Sequence, residues 1–263
     1  MTPRTLLLSD GSRARVITAG AGEPLLLIHG VGMRAEVWAP QIAALQASHL
    51  VIAVDMPGHG DSDPLPPGAT LPDFVAWAAR VIAALGLGPM NVAGHSMGAL
   101  IALGLAVDHP ALLRRMAALC AVYRRSAQAR AAVIARADDI ARGAGDLAAP
   151  LDRWFEDDSP LRAQVAGYLA TVSLPGYAAA YRAFAEGDAT YADRLPQITC
   201  PALLLTAEGD GNSTPAMTRA MAQAIPGAVA LVIAGHRHMV PLTAPQAVNE
   251  ALAQWLSREK VPA

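Results

Sequence analysis

The stretch Gly94-His95-Ser96-Met97-Gly98 decides the fold. Before it runs Met90-Asn91-Val92-Ala93, apolar and short enough for a buried strand. After it, Ala99 to Ala106 is rich in Ala and Leu and reads as a helix. Strand, sharp turn and helix around G-x-S-x-G make a nucleophile elbow. A serine hydroxyl reacts only when it stands clear of the backbone and meets a base. So tight a turn crowds its neighbours, and Gly94 and Gly98 permit the close approach because they lack Cβ. The following helix points its first N–H groups at the place where negative charge would develop.

Upstream, Arg4 to Leu8 and Arg13 to Ala19 read as strands joined by the turn Ser9-Asp10-Gly11-Ser12. Leu25 to Ile28 reads as a fully buried strand running into His29-Gly30-Val31-Gly32-Met33. A loop of this kind can aim a backbone N–H at the elbow. The N–H groups of Val31 and Met97 are therefore the candidate oxyanion hole. His29 reads as a brace for the loop. Trp38 to Leu45 is a short helix, and Leu50 to Val54 is the next strand. Asp55 to Ser62 is dense in Gly, Pro, Asp and Ser, so Asp55 and His59 read as turn structure before chemistry. Asp73 to Leu85 is amphipathic, with Phe74, Trp77, Val81 and Leu85 at helical spacing.

Downstream, Met116 to Val122 reads as a strand, and the composition shifts at Tyr123. From there to Arg194 helical runs appear (Gln128 to Arg142, Leu161 to Thr171, Tyr177 to Ala185), broken by Gly and Pro. The sheet resumes at Ala202 to Thr206 and ends with Val229 to Ile233; Ala216 to Ile225 and Pro245 to Arg258 are helices. Alternating strands and helices predict an α/β fold: a mostly parallel central sheet with helices on both faces. Residues 1–122 and 196–263 form the core, and 123–195 form a helical lid over the strands' C-terminal edge, where such sheets bind ligands. Its aromatics, among them Trp154, are candidates for substrate contact.

Asp210 lies just beyond Ala202 to Thr206, and His236 and His238 just beyond Val229 to Ile233. Ser96, Asp210 and His238 then follow three different strands in the chain order Ser, Asp, His. Ser96 would attack, His238 would carry the proton, and Asp210 would fix the imidazole's tautomer. Glu208 competes with Asp210, and His236 with His238. The apolar-Pro stretch Met239-Val240-Pro241-Leu242 favours His238.

The chain resembles the α/β-hydrolase fold family along nearly its whole length. The matching pieces are His29-Gly30-Val31-Gly32, Asp55-x-x-Gly58-His59-Gly60-x-Ser62, the elbow, Asp210 with Pro215, and His238 with Pro241 and Pro245. The lid resembles that of the 3-oxoadipate enol-lactonases at Arg153-Trp154-Phe155, Gly176-Tyr177-Ala178 and Asp193-Arg194-Leu195. The resemblance implies a serine hydrolase of a small ester or lactone, with no metal and no cofactor. It departs at the oxyanion loop, where those lactonases carry an Asn-Ser pair. Carboxylesterases and carbon–carbon bond hydrolases of ring-cleavage products (vinylogous 1,5-diketones) therefore stay in view, as does a receptor or scaffold that kept the fold alone. A diketone substrate would carry a carboxylate, for which Arg34, Arg124 or Arg153 could supply a cation.

Composition sets the remaining bounds. The chain has 263 residues, 53% hydrophobic and 16% charged, enough for one sizeable domain with an insertion. A net charge of −2 leaves no basic footprint for nucleic acid. Mean hydropathy is +0.31, yet no apolar run reaches the roughly 18 residues of a membrane span. Cys120 and Cys200 lack metal spacing and read as free thiols. Met1-Thr2-Pro3-Arg4 opens no apolar signal segment, so the cytoplasm is expected. A homo-oligomer is left open.

Overall fold

A computed structural model describes residues 1–156 and 159–258. Eight strands form one sheet in the order β1-β2-β4-β3-β5-β6-β7-β8. β1 (Thr2–Leu7), β2 (Arg13–Ala19) and β4 (His49–Val54) pair antiparallel, and every pairing from β4 through β3 (Glu23–Ile28), β5 (Met90–His95), β6 (Leu113–Leu119), β7 (Ala202–Ala207) and β8 (Val229–Ile233) is parallel. The central strands explain the continuous apolar runs: β5 and β7 are buried at every position, as a strand covered on both faces must be. β8 closes the parallel edge, and only Ile233 of its five residues is buried.

Helices α1 (Ala39–Leu45), α2 (Leu71–Leu85) and α3 (Met97–Asp108) fill the crossovers between β3 and β6. Thr70 starts α2: its N–H and its hydroxyl both donate to the Asp73 carboxylate. α3 is apolar all round and buried from Met97 through Val107, which fits a helix sandwiched inside the molecule. One strand differs from the expectation. β6 starts at Leu113 and stops at Leu119, because Cys120 turns into the left-handed region (φ 53°). Residues 120–122 are buried without continuing the strand.

Between β6 and β7 the described residues form helices: α4 (Ala127–Ala141), α5 (Leu151–Trp154), α6 (Pro160–Thr171) and α7 (Leu174–Glu186), then two short 3₁₀ turns. α4 packs on α7. The insertion sits against the loops at the strand ends. A Cβ on Gly176 of α7 would lie 2.2 Å from the Gly58 carbonyl oxygen, so only glycine allows that contact. α8 (Pro215–Ala224) follows β7, and α9 (Val240–Thr243) and α10 (Pro245–Leu256) follow β8. Among the described residues no helix is long and apolar enough to cross a membrane.

Candidate functional site

Ser96 stands between β5 and α3 at φ 56°, ψ −113°, a conformation that costs a non-glycine residue about 1–3 kcal/mol. The surroundings enforce it. Its N–H donates to the Leu119 carbonyl at 2.8 Å, and its own carbonyl takes the N–H groups of Ala99 and Leu100. A Cβ on Gly94 would lie 2.0 Å from the Gly98 oxygen, and one on Gly98 would lie 2.1 Å from the Ile28 oxygen. The turn is therefore wedged between two strands.

Asp210 sits in the turn after β7, with its side chain fully buried. It accepts the N–H groups of Asn212 (2.8 Å) and Ser213 (3.0 Å), and its Oδ2 lies 2.7 Å from His238 Nδ1. Burial pushes its carboxyl up, but the charge and hydrogen bond of His238 and the two backbone donors outweigh this and hold it below the usual range. An ionised carboxylate only accepts, so Nδ1 carries the proton and Nε2 is left as a base. The turn is itself anchored: Ser213 Oγ donates to the Cys120 carbonyl at 2.6 Å, and Thr206 Oγ1 donates to the Ser213 carbonyl at 2.7 Å.

The rival residues go elsewhere. The Glu208 carboxylate accepts the Gly235 N–H at 3.2 Å, and the His236 carbonyl accepts the Gly209 N–H at 2.9 Å. Neither approaches the Asp210–His238 pair. A residue the sequence did not single out holds His238 in place. His95 Nε2 donates to the His238 carbonyl at 2.9 Å, and the two rings lie 4.9 Å apart. Burial, and then the neighbouring His238, push His95 down to about 3, so it stays neutral. His95 occupies a free position of G-x-S-x-G, and nothing in its spacing marks it. The Trp154 indole stacks over His238 at 5.7 Å.

The loop after β3 is braced by two histidines. His29 Nδ1 donates to the Gly30 carbonyl (2.7 Å) and Nε2 accepts the Met56 N–H (2.9 Å). His59 accepts the Gly32 N–H (3.0 Å) and donates to the Pro57 carbonyl (3.0 Å). Asp55 accepts the Ala35 N–H and pairs with Arg15, so it too serves the loop. The loop abuts the elbow: a Cβ on Gly30 would lie 3.1 Å from Ser96 Cβ. Among the described residues the N–H groups of Val31 and Met97 have no acceptor.

A cavity of about 580 Å³ opens over Ser96 and His238, roofed by α4, α5 and α7. Arg153 and Trp154 line it, as expected. Arg34 and Arg124 do not: Arg34 pairs with Glu36 at 3.0 Å, and Arg124 pairs with Asp193 on the outside. Two arginines that the sequence reading passed over, Arg125 and Arg136, take their place. Ala129, Ala132, Val133 and Arg136 form a helical stripe on α4 that faces the cavity, a pattern legible only once the helix is known to lie over Ser96. His95, Cys120 and His238 bring three metal-type donor atoms within 4.8 Å of one another. The His95 and His238 rings already donate to the His238 carbonyl and to Asp210, and burial pushes the Cys120 thiol well up.

Residues 25–251 match the model of the Alpha/beta hydrolase family. The chain is 49% identical over 259 residues to an (E)-2-((N-methylformamido)methylene)succinate hydrolase of Acinetobacter baylyi, covering 97% of this chain and 98% of that one. Among solved structures it resembles a malate-bound esterase of Thermogutta terrifontis (TM-score 0.87, 26% identity, 97% and 98% of the two chains). It also resembles the enol-lactonase of Burkholderia xenovorans LB400 (TM-score 0.88, 24% identity, 97% and 100%), a likeness of fold.

Proposed function

The chain belongs to the alpha/beta hydrolase family, and from that premise we propose that it hydrolyses an acyl bond of a small carboxylate-bearing compound through Ser96. The observation that carries the reading is the strained Ser96 elbow facing one cavity with a His238 ring held 2.7 Å from Asp210. In this mechanism Ser96 Oγ attacks the acyl carbon and His238 Nε2 takes its proton. The oxyanion collects the N–H groups of Val31 and Met97. His238 returns the proton to the leaving atom, the acyl–Ser96 bond forms, and the bond to the leaving group breaks. Water, deprotonated by His238, then releases the acid. Asp210 holds the tautomer and faces the imidazolium charge throughout.

The relative at 49% identity supports the formamide of an N-formyl enamine as the acyl group. Ser96 would then carry a formyl group, released as formate, and the nitrogen would leave with the proton from His238. Esters and lactones pass through the same acyl-enzyme, so a p-nitrophenyl ester reports the same machinery. The insertion acts as a lid that completes the cavity. Cys120 and Cys200 are both buried and form no disulfide among the described residues, which suits a reducing cytoplasm. Ser96→Ala is expected to lower turnover of p-nitrophenyl acetate and of the formamide by about 10⁴-fold or more while the protein stays folded. Retention of over a tenth of the rate would remove Ser96 from the reaction.

A further inference from the structure

The cavity's charge is unbalanced. Three guanidinium groups line it, those of Arg125, Arg136 and Arg153, and among the described residues no Asp or Glu does. Arg125 is already compensated. Its backbone N–H donates to Asp188 at 2.6 Å, its guanidinium lies 3.5 Å from the same carboxylate, and Asp188 is buried. The other two are not. Arg136 has a neutral partner, the Asp146 carbonyl at 2.8 Å, and lies over the Tyr181 ring at 5.7 Å. Its Nε is buried with no hydrogen-bond partner. The Arg153 guanidinium is exposed and has no ion pair and no hydrogen bond among the described residues.

Two like charges facing one partly closed space repel each other, and the buried, unpaired Nε of Arg136 is costly, whereas Arg153 is exposed to solvent. A chain that only needed packing at Arg136 would do better with an apolar side chain of the same volume. The cost is recovered when an anion enters, because a guanidinium holds a carboxylate through two parallel charge-assisted hydrogen bonds. The nearby phenols do not compete as anions: burial raises the pKa of both Tyr177 and Tyr181, keeping them protonated. A monocarboxylate would leave one guanidinium uncompensated, and a neutral ester would leave both.

We infer that the substrate is a dicarboxylate, held with one carboxylate on Arg136 and the other on Arg153, so that its acyl group is presented to Ser96. The inference rests on the Ser96 reading for the last clause alone; the two-cation clamp stands on the charge balance. It also accounts for specificity. The clamp would favour dicarboxylates over neutral esters, which the elbow and its partners would otherwise accept equally.

Succinate and butyrate separate the two claims. Both are titrated calorimetrically into the Ser96→Ala protein, where binding is read without turnover, and used as competitive inhibitors of wild-type p-nitrophenyl acetate hydrolysis. Succinate is expected to bind at least about 10-fold more tightly than butyrate, since each charge-assisted pair is worth about a factor of 10 or more. Arg153→Gln and Arg136→Gln should each weaken succinate by about 10- to 100-fold and shrink its advantage over butyrate. Arg124→Gln, whose side chain pairs with Asp193 outside the cavity, should leave both affinities unchanged. If Arg136→Gln melts, Arg136→Lys keeps the charge without the fork and should give an intermediate loss. Succinate binding no better than butyrate, or as well in Arg153→Gln as in the parent, overturns the clamp. A Ser96→Ala protein that keeps its activity yet discriminates the two acids would overturn the nucleophile and leave the clamp standing.

Discussion

Acidification should unfold this protein well above the pH at which its carboxylates protonate. His29, His59 and His95 are fully buried, and each is locked in a neutral tautomer. For His29 and His59 the lock is explicit: Nε2 accepts a backbone N–H while Nδ1 donates to a carbonyl. Protonation would set two donors face to face. Burial therefore pushes His29 down to about 4 and His59 and His95 to about 3. The His29 and His59 rings, 5.4 Å apart, would repel if both were charged, and His95 faces His238 in the same way. In the unfolded chain all three would titrate near 6.5. The folded values lie below the unfolded ones, so stability is complete above pH ~6.5 and drains as pH falls towards the folded values. Each group takes about 1.4 kcal/mol per pH unit in that window, so three groups between pH 6.5 and 5 remove roughly 6 kcal/mol. That is comparable to the whole stability of an ordinary domain, about 5–15 kcal/mol. Asp210 does not offset this, because its depressed carboxyl withdraws stability only below pH ~4. Urea midpoints and melting temperatures across pH 7.5, 6.5, 5.5 and 5 measure the loss as a decline that steepens below about 6.5. A urea midpoint unchanged down to pH 5 would refute the neutral, doubly bonded histidines.

Two further outcomes test the site. Asp210→Asn keeps the shape and the bonds to Asn212 and Ser213, but its amide N–H₂ faces Nδ1 and forces the wrong tautomer on His238. Turnover of p-nitrophenyl acetate should fall by about 10⁴-fold with the circular dichroism spectrum unchanged, and retention of more than a hundredth would place the base elsewhere. Gly98→Ala puts a methyl 2.1 Å from the Ile28 oxygen and 2.7 Å from the His29 oxygen, both backbone. Urea denaturation should report a loss of about 3 kcal/mol, and a loss under about 1 would show that α3 can slide away from β3.

The fold was legible because the sheet's interior is covered on both faces. Leu25 to Ile28, Leu50 to Val54 and Ala202 to Thr206 are apolar runs between Gly, Pro and Asp, and such runs have little choice but to be central strands. The miss at β6 has the same origin: residues 120–122 are as buried as the strand, and apolarity reports burial without reporting pairing. The sequence reading put Ser96, Asp210 and His238 on one rim because each lies just beyond a strand and parallel strands deliver their ends to one rim, and the structure brings His238 Nδ1 to 2.7 Å from Asp210. The choice between His236 and His238 was not settled by alternation, since both lie on the same phase of the chain. The contact with Asp210 separates them. Arg34 and Arg124 looked available because each adjoins a loop near the site. Their partners, Glu36 and Asp193, lie two residues and 69 residues away, and neither pairing leaves a periodic trace. Arg136 was passed over because the facing of α4 is set by its packing on α7, a tertiary fact.

The proposed chemistry and the proposed selectivity draw on different parts of this chain. Ser96, Asp210, His238, His95 and the oxyanion loop all lie at strand ends of the sheet, where hydrogen bonds to neighbouring strands and loops fix them. Trp154, Arg136 and Arg153 come from the insertion, which packs on the core through contacts such as Gly176 on Gly58. The sheet carries the strain at Ser96, so it has little freedom to change without losing the nucleophile. Replacing cations on α4 and α5 disturbs none of the hydrogen bonds that position the triad. On the proposed reading, selectivity lies in the roof, where among the described residues the guanidiniums of Arg136 and Arg153 face the cavity over Ser96 without a carboxylate partner.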